Sequence, residues 1–585
     1  MNKEPISKPH SNRDDNAQIP GKSETPPDGC CNPKRTSTSF WRKISLAEWS
    51  VAGLLTVAAA CLHWVYFRHA GVLWRDETGI VNIALLPSWG EVWKTLPHDH
   101  CPILFPALVR VWSKAGAGAT DQGLRMLGLG IGLAVLAAFW ITNRMMGRGL
   151  PLFSLSLAAL NFTVITFGDS LRAYGLATAC ILLTLGLVWR FTELPGWRRG
   201  LLAGFAAVLS VQTLYQNAFL VLAVCVAGIV LCISRRQYRP AMAVLSIGFV
   251  AALSLTPYIK PLLDAQSWWV VSKTGDGFHV FLDRMIQITG GFSSIWFYYV
   301  WFVSVIIAAV LGIGQFFRAA ATVLKESRDV CFFAGVALAA GFAGYGIFFK
   351  LAGLPVQPWY CIPLIGLIAV CCDVILPRMH QSMRLGVLVV AVVSFLLAWP
   401  TTYSNTQQRR TNGDQVAATL AQNISPDDFV IVHPWYYGLT FARYYHGSAV
   451  WKTLPPLEDY RFHRYDLIKQ ELQMTNAIQP VLGNVEVALR SGHRVWIVGE
   501  VPMPKPNTPP PVDLPPAPNG PAGWLDVPYT RVWGLKLGYV LASHTTNITR
   551  LVNPSTNALE PWEDIGLTVV SGWNDPALTN LPQPK

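Results

Sequence analysis

The stretch LWRDETGIVNIALLPSWGEVWKTLPHDHCPILFP, residues 73–106, decides how this chain is read. It follows the first long apolar segment, so Asp76 and Glu77 stand side by side at the mouth of a membrane. Carboxylates in that position are costly and mark function by default. Further on, His98, Asp99 and His100 cluster, and Pro102 and Pro106 set the chain on a new course. Residues 80–93 and 103–112 are apolar but shorter than the roughly 20 residues a span requires. They suit helices lying in the interface, with Trp89, Trp93 and Trp112 at headgroup depth.

Composition supports the membrane setting. Of 585 residues, 52% are hydrophobic and 14% charged, against about 25% charged in an ordinary soluble domain. The net charge of +12 does not signal nucleic acid, because much of the excess lies in short loops between apolar segments. About eleven segments are candidates for membrane helices: 45–67, 121–143, 150–168, 173–190, 200–214, 218–234, 241–259, 296–317, 331–349, 359–376 and 384–401. Residues 1–44 are polar and read as a disordered cytoplasmic tail, followed by a membrane domain over 45–402. The eleven cysteines follow no metal-ligand spacing and read as small packing residues.

Basic residues set the orientation. With the N-terminus inside, the inner loops hold Arg144 and Arg148, Arg190, Arg198 and Arg199, Arg235, Arg236 and Arg239, Arg318, Lys325 and Arg328, and Arg378 and Arg384. The opposite turn at 215–217 holds none. The outer face then receives loops 68–120 and 260–295, the hairpin around 169–174 and everything after about 402. Loop 260–295 is long enough to act as a lid. Residues 403–585 alternate helical and strand patterns and read as an extracytoplasmic α/β domain. Strands are expected at 429–433, 494–499, 535–543 and 548–552, with helices over 413–424, 439–445, 457–474 and 477–490.

Several side chains carry chemistry. Asp76 and Glu77 can accept a proton from an attacking hydroxyl or hold a metal; the competing reading is a solvated acidic pair at a helix end. Of His98, Asp99 and His100, one facing a substrate is favoured over metal ligation. A divalent ion bound by Asp76, Glu77 and His100 is left open as the cofactor. In FGDSLRAY, residues 167–174, Arg172 offers a fork suited to phosphate. Tyr174 can stack on a sugar, and Asp169 can pair with Arg172 or read a sugar hydroxyl. An arginine snorkelling to headgroups is the alternative. Gln216 and Asn217 can hydrogen-bond a sugar or cap a helix. Lys350 and Tyr360 flank an outer turn where Lys350 can neutralise a phosphate, and Lys273 and His279 lie in the lid.

These motifs in this order resemble the polytopic GT-C glycosyltransferases. The resemblance is to the branch related to the lipid A aminoarabinose transferase and the protein O-mannosyltransferases, closest to the group with an RgtA/B/C/D-like domain. It rests on WRDETG after the first span, on HDHCPILFPALVRVW, on Arg125 opening the next span, on DSLRAYGL, and on the soluble region beginning DQVAATLAQNISPDDFVIV. The helix after the histidine lacks the family's paired prolines, and Gln216 stands where a histidine is usual. The resemblance implies a helical GT-C bundle and inverting transfer of a sugar from a polyprenyl-phosphate donor at the outer face. The first-loop acid would be the base or a metal ligand. The acceptor would be a cell-envelope glycan, lipid or protein, and the setting a bacterial inner membrane. The rival expectation is a transporter, flippase or non-catalytic binder of a lipid-linked saccharide. No repeated halves are present to favour transport.

Overall fold

The computed structural model describes residues 33–99, 101–147, 149–269, 277–290, 295–317, 325–352, 356–505, 508–518, 525–551 and 558–574. The chain divides after Ala47. In the first unit the described residues are helical from Pro33, so the segment 33–44 expected in the tail belongs to a helix. Residues 1–32 lie outside the described residues. All that follows concerns Glu48–Lys585.

Among the described residues nine helices are long and apolar enough to cross a membrane: Trp41–His69, Asp121–Met145, Tyr174–Glu193, Asn217–Ser234, Tyr238–Gln266, Trp296–Gly314, Ser327–Ala352, Pro358–Met379 and Gln381–Thr406. The chain is a mainly helical, multi-pass membrane protein. Pro358–Met379 is apolar all round and buried along almost its whole length, so it forms the centre of the bundle. Trp296–Gly314 and Gln381–Thr406 expose most of their apolar surface, including Val310 and Leu396, as lipid-facing helices do.

Two of the eleven expected spans come out differently. Residues 150–168 are broken into a short wide turn, Ser154–Ala159, and the helix Phe162–Gly168. The cause is local capping. Asp373 accepts the Phe153 and Ser154 N–H groups at 2.6 and 3.0 Å, and Asn161 Oδ1 accepts the Val164 N–H at 3.2 Å. Trp197–Thr213 is one helix of 17 residues, at the lower limit for crossing a bilayer.

After the first span come three short helices. Arg75–Ala84 is followed by Trp89–Thr95, and Pro87 and Ser88 divide the expected single segment 80–93. Ser88 begins the second helix with a capping box: its Oγ accepts the Glu91 N–H and Glu91 Oε2 accepts the Ser88 N–H. Leu104–Lys114 returns across them. Its buried Arg110 donates to the carbonyls of Ala84, Leu86 and Pro87 at 2.7, 2.6 and 3.1 Å. One guanidinium thus satisfies the open C-terminal end of Arg75–Ala84. In the expected lid, Ile259–Trp269 and Gly277–Gly290 are helical; Lys273 lies outside the described residues, and His279 is exposed.

The C-terminal region folds on a five-stranded sheet: β1 Phe429–His433, β2 Val450–Thr453, β3 Val495–Gly499, β4 Thr545–Leu551 and β5 Leu567–Trp573. The order is β2-β1-β3-β5-β4, parallel where β1 meets β2 and β3, and antiparallel at β5. Every residue of β1 and β3 is buried, because side chains alternate between two covered faces. Phe429, Ile431, Val495 and Ile497 enter one core, and Val430, Val432, Trp496 and Val498 the other.

The expected strand at 535–543 is instead part of the helix Val527–His544. Trp533, Leu537 and Leu541 recur every four residues and are buried in the core that β1 and β3 share. Strands β2 and β5 had no counterpart in the sequence reading. Of the helix expected over 457–474, only Tyr465–Leu472 forms, and the residues before it make a loop that reaches the membrane domain.

Candidate active site

Arg75–Ala84 places the acidic pair in its first turn, where backbone N–H groups favour negative charge. Neighbouring helical side chains point about 100° apart, and here that separates two fates. Glu77 turns inward and is fully buried. Its Oε1 accepts Arg125 Nη1 at 2.5 Å and the Leu171 N–H at 3.0 Å, and Oε2 accepts the Trp74 N–H at 3.4 Å. Glu77 therefore ties the first loop to the second span and to the hairpin that carries Arg172.

Asp76 turns the other way and keeps 22% of its side chain exposed. Its Oδ1 lies 3.2 Å from Nε2 of His463 and 3.7 Å from Nε of Arg75. Burial alone would raise this carboxyl, but the His463 hydrogen bond and the Arg172 and Arg75 charges outweigh it. They hold Asp76 well below the usual carboxylate range.

Arg172 completes the group. Its Nη1 donates to the Asp76 main-chain carbonyl at 3.2 Å and forms an ion pair with the buried Asp99. Burial pushes the Asp99 carboxyl up, and Arg172 opposes that shift. The cluster thus joins a partly exposed carboxylate to a guanidinium paired with a second carboxylate. Tyr174 and Tyr360 stand beside it with ring centroids 5.8 Å apart.

The remaining sequence candidates fall in different places. His98 stacks on Trp268 at 4.8 Å and its Nδ1–H donates to the His463 carbonyl at 3.2 Å; burial lowers its pKa. His100 lies outside the described residues. Asp169 pairs with His63 at 2.8 Å rather than with Arg172, and both are buried. Gln216 donates to the Tyr360 carbonyl at 2.9 Å, and Asn217 to the Ala177 carbonyl at 2.9 Å and Ser210 Oγ at 3.0 Å. Gln216 thus ties the turn to the segment at Tyr360, and Asn217 ties it to Tyr174–Glu193 and to Trp197–Thr213. Lys350 is exposed near the end of Lys325–Ala352.

Two contributors had gone unrecognised. Arg75 reaches from the first loop to Glu563 at 3.2 Å and to the Trp562 carbonyl at 2.9 Å. His463 comes from a loop of the C-terminal domain, 387 residues beyond Asp76. The aromatic and basic run YRFHRY, residues 460–465, was the available signal.

Of the three residues expected to hold a divalent ion, His100 lies outside the described residues. No group of three His, Cys, Asp or Glu side chains converges among them. Glu77 is committed to Arg125.

Fold and site together define a class: a multi-pass helical membrane protein with a C-terminal α/β domain that meets a carboxylate–guanidinium cluster just beyond the first span. No family model matches the chain, and no curated protein matches it. Among solved structures it is similar to ArnT from Cupriavidus metallidurans bound to undecaprenyl phosphate. Identity is 12% and the TM-score 0.46, with 77% of this chain and 92% of that one covered. It is also similar to the Archaeoglobus fulgidus oligosaccharyltransferase tethered with an acceptor peptide, at 10% identity and TM-score 0.47, covering 77% and 69%. The arabinosyltransferase EmbB from Mycobacterium smegmatis matches at 15% identity and TM-score 0.34, covering 63% of this chain and 31% of that one.

Proposed function

We propose that the protein is a GT-C type membrane glycosyltransferase that moves a sugar from a polyprenyl-phosphate donor to an acceptor hydroxyl. The observation carrying this reading is the placement of a partly exposed Asp76 carboxylate beside Arg172, whose Nη1 donates to the Asp76 main-chain carbonyl, just beyond the first span. A lipid phosphate arrives at headgroup depth, and a hydrophilic acceptor arrives from water. In this reading the two meet at the Asp76–Arg172 cluster.

In this reading Arg172 holds the donor phosphate through the outer edge of its fork, and Tyr174 and Tyr360 wall the sugar. The acceptor oxygen attacks the anomeric carbon from the face opposite the phosphate. The carbon–phosphate oxygen bond breaks, the configuration inverts and polyprenyl phosphate leaves with the bonding pair. Asp76 first accepts a hydrogen bond from the acceptor. With its pKa held low, it takes the proton only as the new bond makes that oxygen acidic. Glu77 acts through Arg125 and Leu171 as a positioning residue.

The charge asymmetry of the loops supports an inside N-terminus and a C-terminal domain on the outer face of a bacterial inner membrane. The acceptor is then a cell-envelope glycan, lipid or protein.

The test is transfer by purified protein in lipid, given radiolabelled polyprenyl-phosphate sugars and envelope extract. Label should leave the carrier with wild type and fall by roughly 10²-fold or more with Asp76→Asn. Equal transfer by both proteins would refute the assignment.

A further inference from the structure

His463 reaches Asp76 from a domain that a simple membrane-embedded site would not need. The 460–464 loop is tied to the first loop at three points. Asn82 Nδ2 donates to the Arg461 carbonyl at 2.7 Å, the His98 ring to the His463 carbonyl at 3.2 Å, and His463 itself meets Asp76. The imidazole is also held from behind. Tyr465 stacks on it at 5.9 Å, and Trp435 meets it edge-on at 6.2 Å.

Among the described residues its Nδ1 is buried with no hydrogen-bond partner. A buried N–H without an acceptor is costly, whereas a bare ring nitrogen costs less. The proton therefore belongs on Nε2, which donates to Asp76 Oδ1. This contact competes with a cation. Arg75 Nε stands 3.7 Å from the same oxygen, and charge-assisted pairs draw closer when nothing intervenes.

Resting on the glycosyl-transfer reading above, we propose that His463 is a positioning residue for Asp76. Its Nε2–H fixes Oδ1, keeps the carboxylate from collapsing onto Arg75, and leaves Oδ2 turned to the acceptor hydroxyl. The C-terminal domain thereby completes the reactive pocket instead of only covering it, and turnover requires that domain to be docked.

The test uses the full chain in lipid nanodiscs with a panel of undecaprenyl-phosphate-linked sugars and envelope extract. Wild type, Asp76→Asn, His463→Phe and His463→Gln are compared. Phenylalanine keeps the ring without its N–H, and glutamine restores an N–H donor near the Nε2 position. The expected result for His463→Phe is a kcat loss of roughly 10- to 100-fold with donor KM within about twofold. His463→Gln should recover most of that loss.

Turnover by His463→Phe within twofold of wild type overturns the proposal, as does a raised KM at unchanged kcat. So does a His463→Gln as impaired as the phenylalanine variant. If His463→Phe does not fold, histidine ¹⁵N spectra decide: one neutral Nε2–H signal should shift in Asp76→Asn, and no shift overturns the proposal. The parent reading fails separately. An active Asp76→Asn, or a wild type inactive with every donor, removes the glycosyl-transfer assignment, and this inference with it. An inactive Asp76→Asn beside a fully active His463→Phe removes the His463 role alone.

Discussion

Two clusters of carboxylates and guanidinia are built on the adjacent residues Asp76 and Glu77, and they differ in what surrounds them. In the first, Glu77 pairs with Arg125, and Arg410 pairs with Glu560 while lying between the rings of Trp74 at 4.3 Å and Phe167 at 4.5 Å. All four charged groups are buried. In the second, Asp76, Asp99, Arg172 and His463 share a pocket in which Asp76 stays partly open. The residue types are nearly the same. Closure makes the first cluster a joint between the membrane helices and the C-terminal domain, and access makes the second able to meet a substrate.

Breaking the closed cluster should have the largest effect on stability. Arg125→Met strands Glu77 as a lone buried charge and should cost about 3–5 kcal/mol, read as a drop in the unfolding midpoint in detergent. Arg410→Met should behave similarly through Glu560. In the open cluster, Asp76→Asn should lower the midpoint less than Arg125→Met does, while lowering kcat by roughly 10²- to 10⁴-fold.

The comparison sharpens with pH. The Asp76 pKa is depressed in the folded protein, so its contribution to stability is present above the unfolded value of about 3.9 and lost as pH falls through the folded one. The stability gap between wild type and Asp76→Asn should therefore be widest near neutrality and close in acid, as followed by unfolding at stepped pH. Arg172→Lys keeps the charge but loses the fork, and donor KM should rise about tenfold. Lys350→Met, at an exposed site, should change transfer by less than about twofold.

Much of this was legible from the chain. Long apolar segments and basic loops disclosed the spans, and the two fully buried strands at the centre of the sheet read as continuous apolar runs. The acidic pair and the Arg172 hairpin were legible as candidates, because charged groups near a membrane stand out against apolar neighbours. Which of Asp76 and Glu77 faces inward was not, since that depends on how Arg75–Ala84 is rotated against Arg125. Asp169 looked equally suited to Arg172, and only packing against the first span assigns it to His63. Pairings such as Asp76 with His463 join residues far apart in the chain and leave no local pattern. The segment 535–543 was misread because its aromatic and branched residues favour strands, while its four-residue spacing of buried groups is helical.

The most direct measurement pairs unfolding with turnover in the same samples of Asp76→Asn and Glu77→Gln. The account predicts that Asp76→Asn melts above Glu77→Gln and fails to transfer sugar. Glu77→Gln should melt well below wild type, with its folded fraction retaining transfer within roughly tenfold. An active Asp76→Asn beside a stable but inactive Glu77→Gln would reverse the two roles and contradict the account.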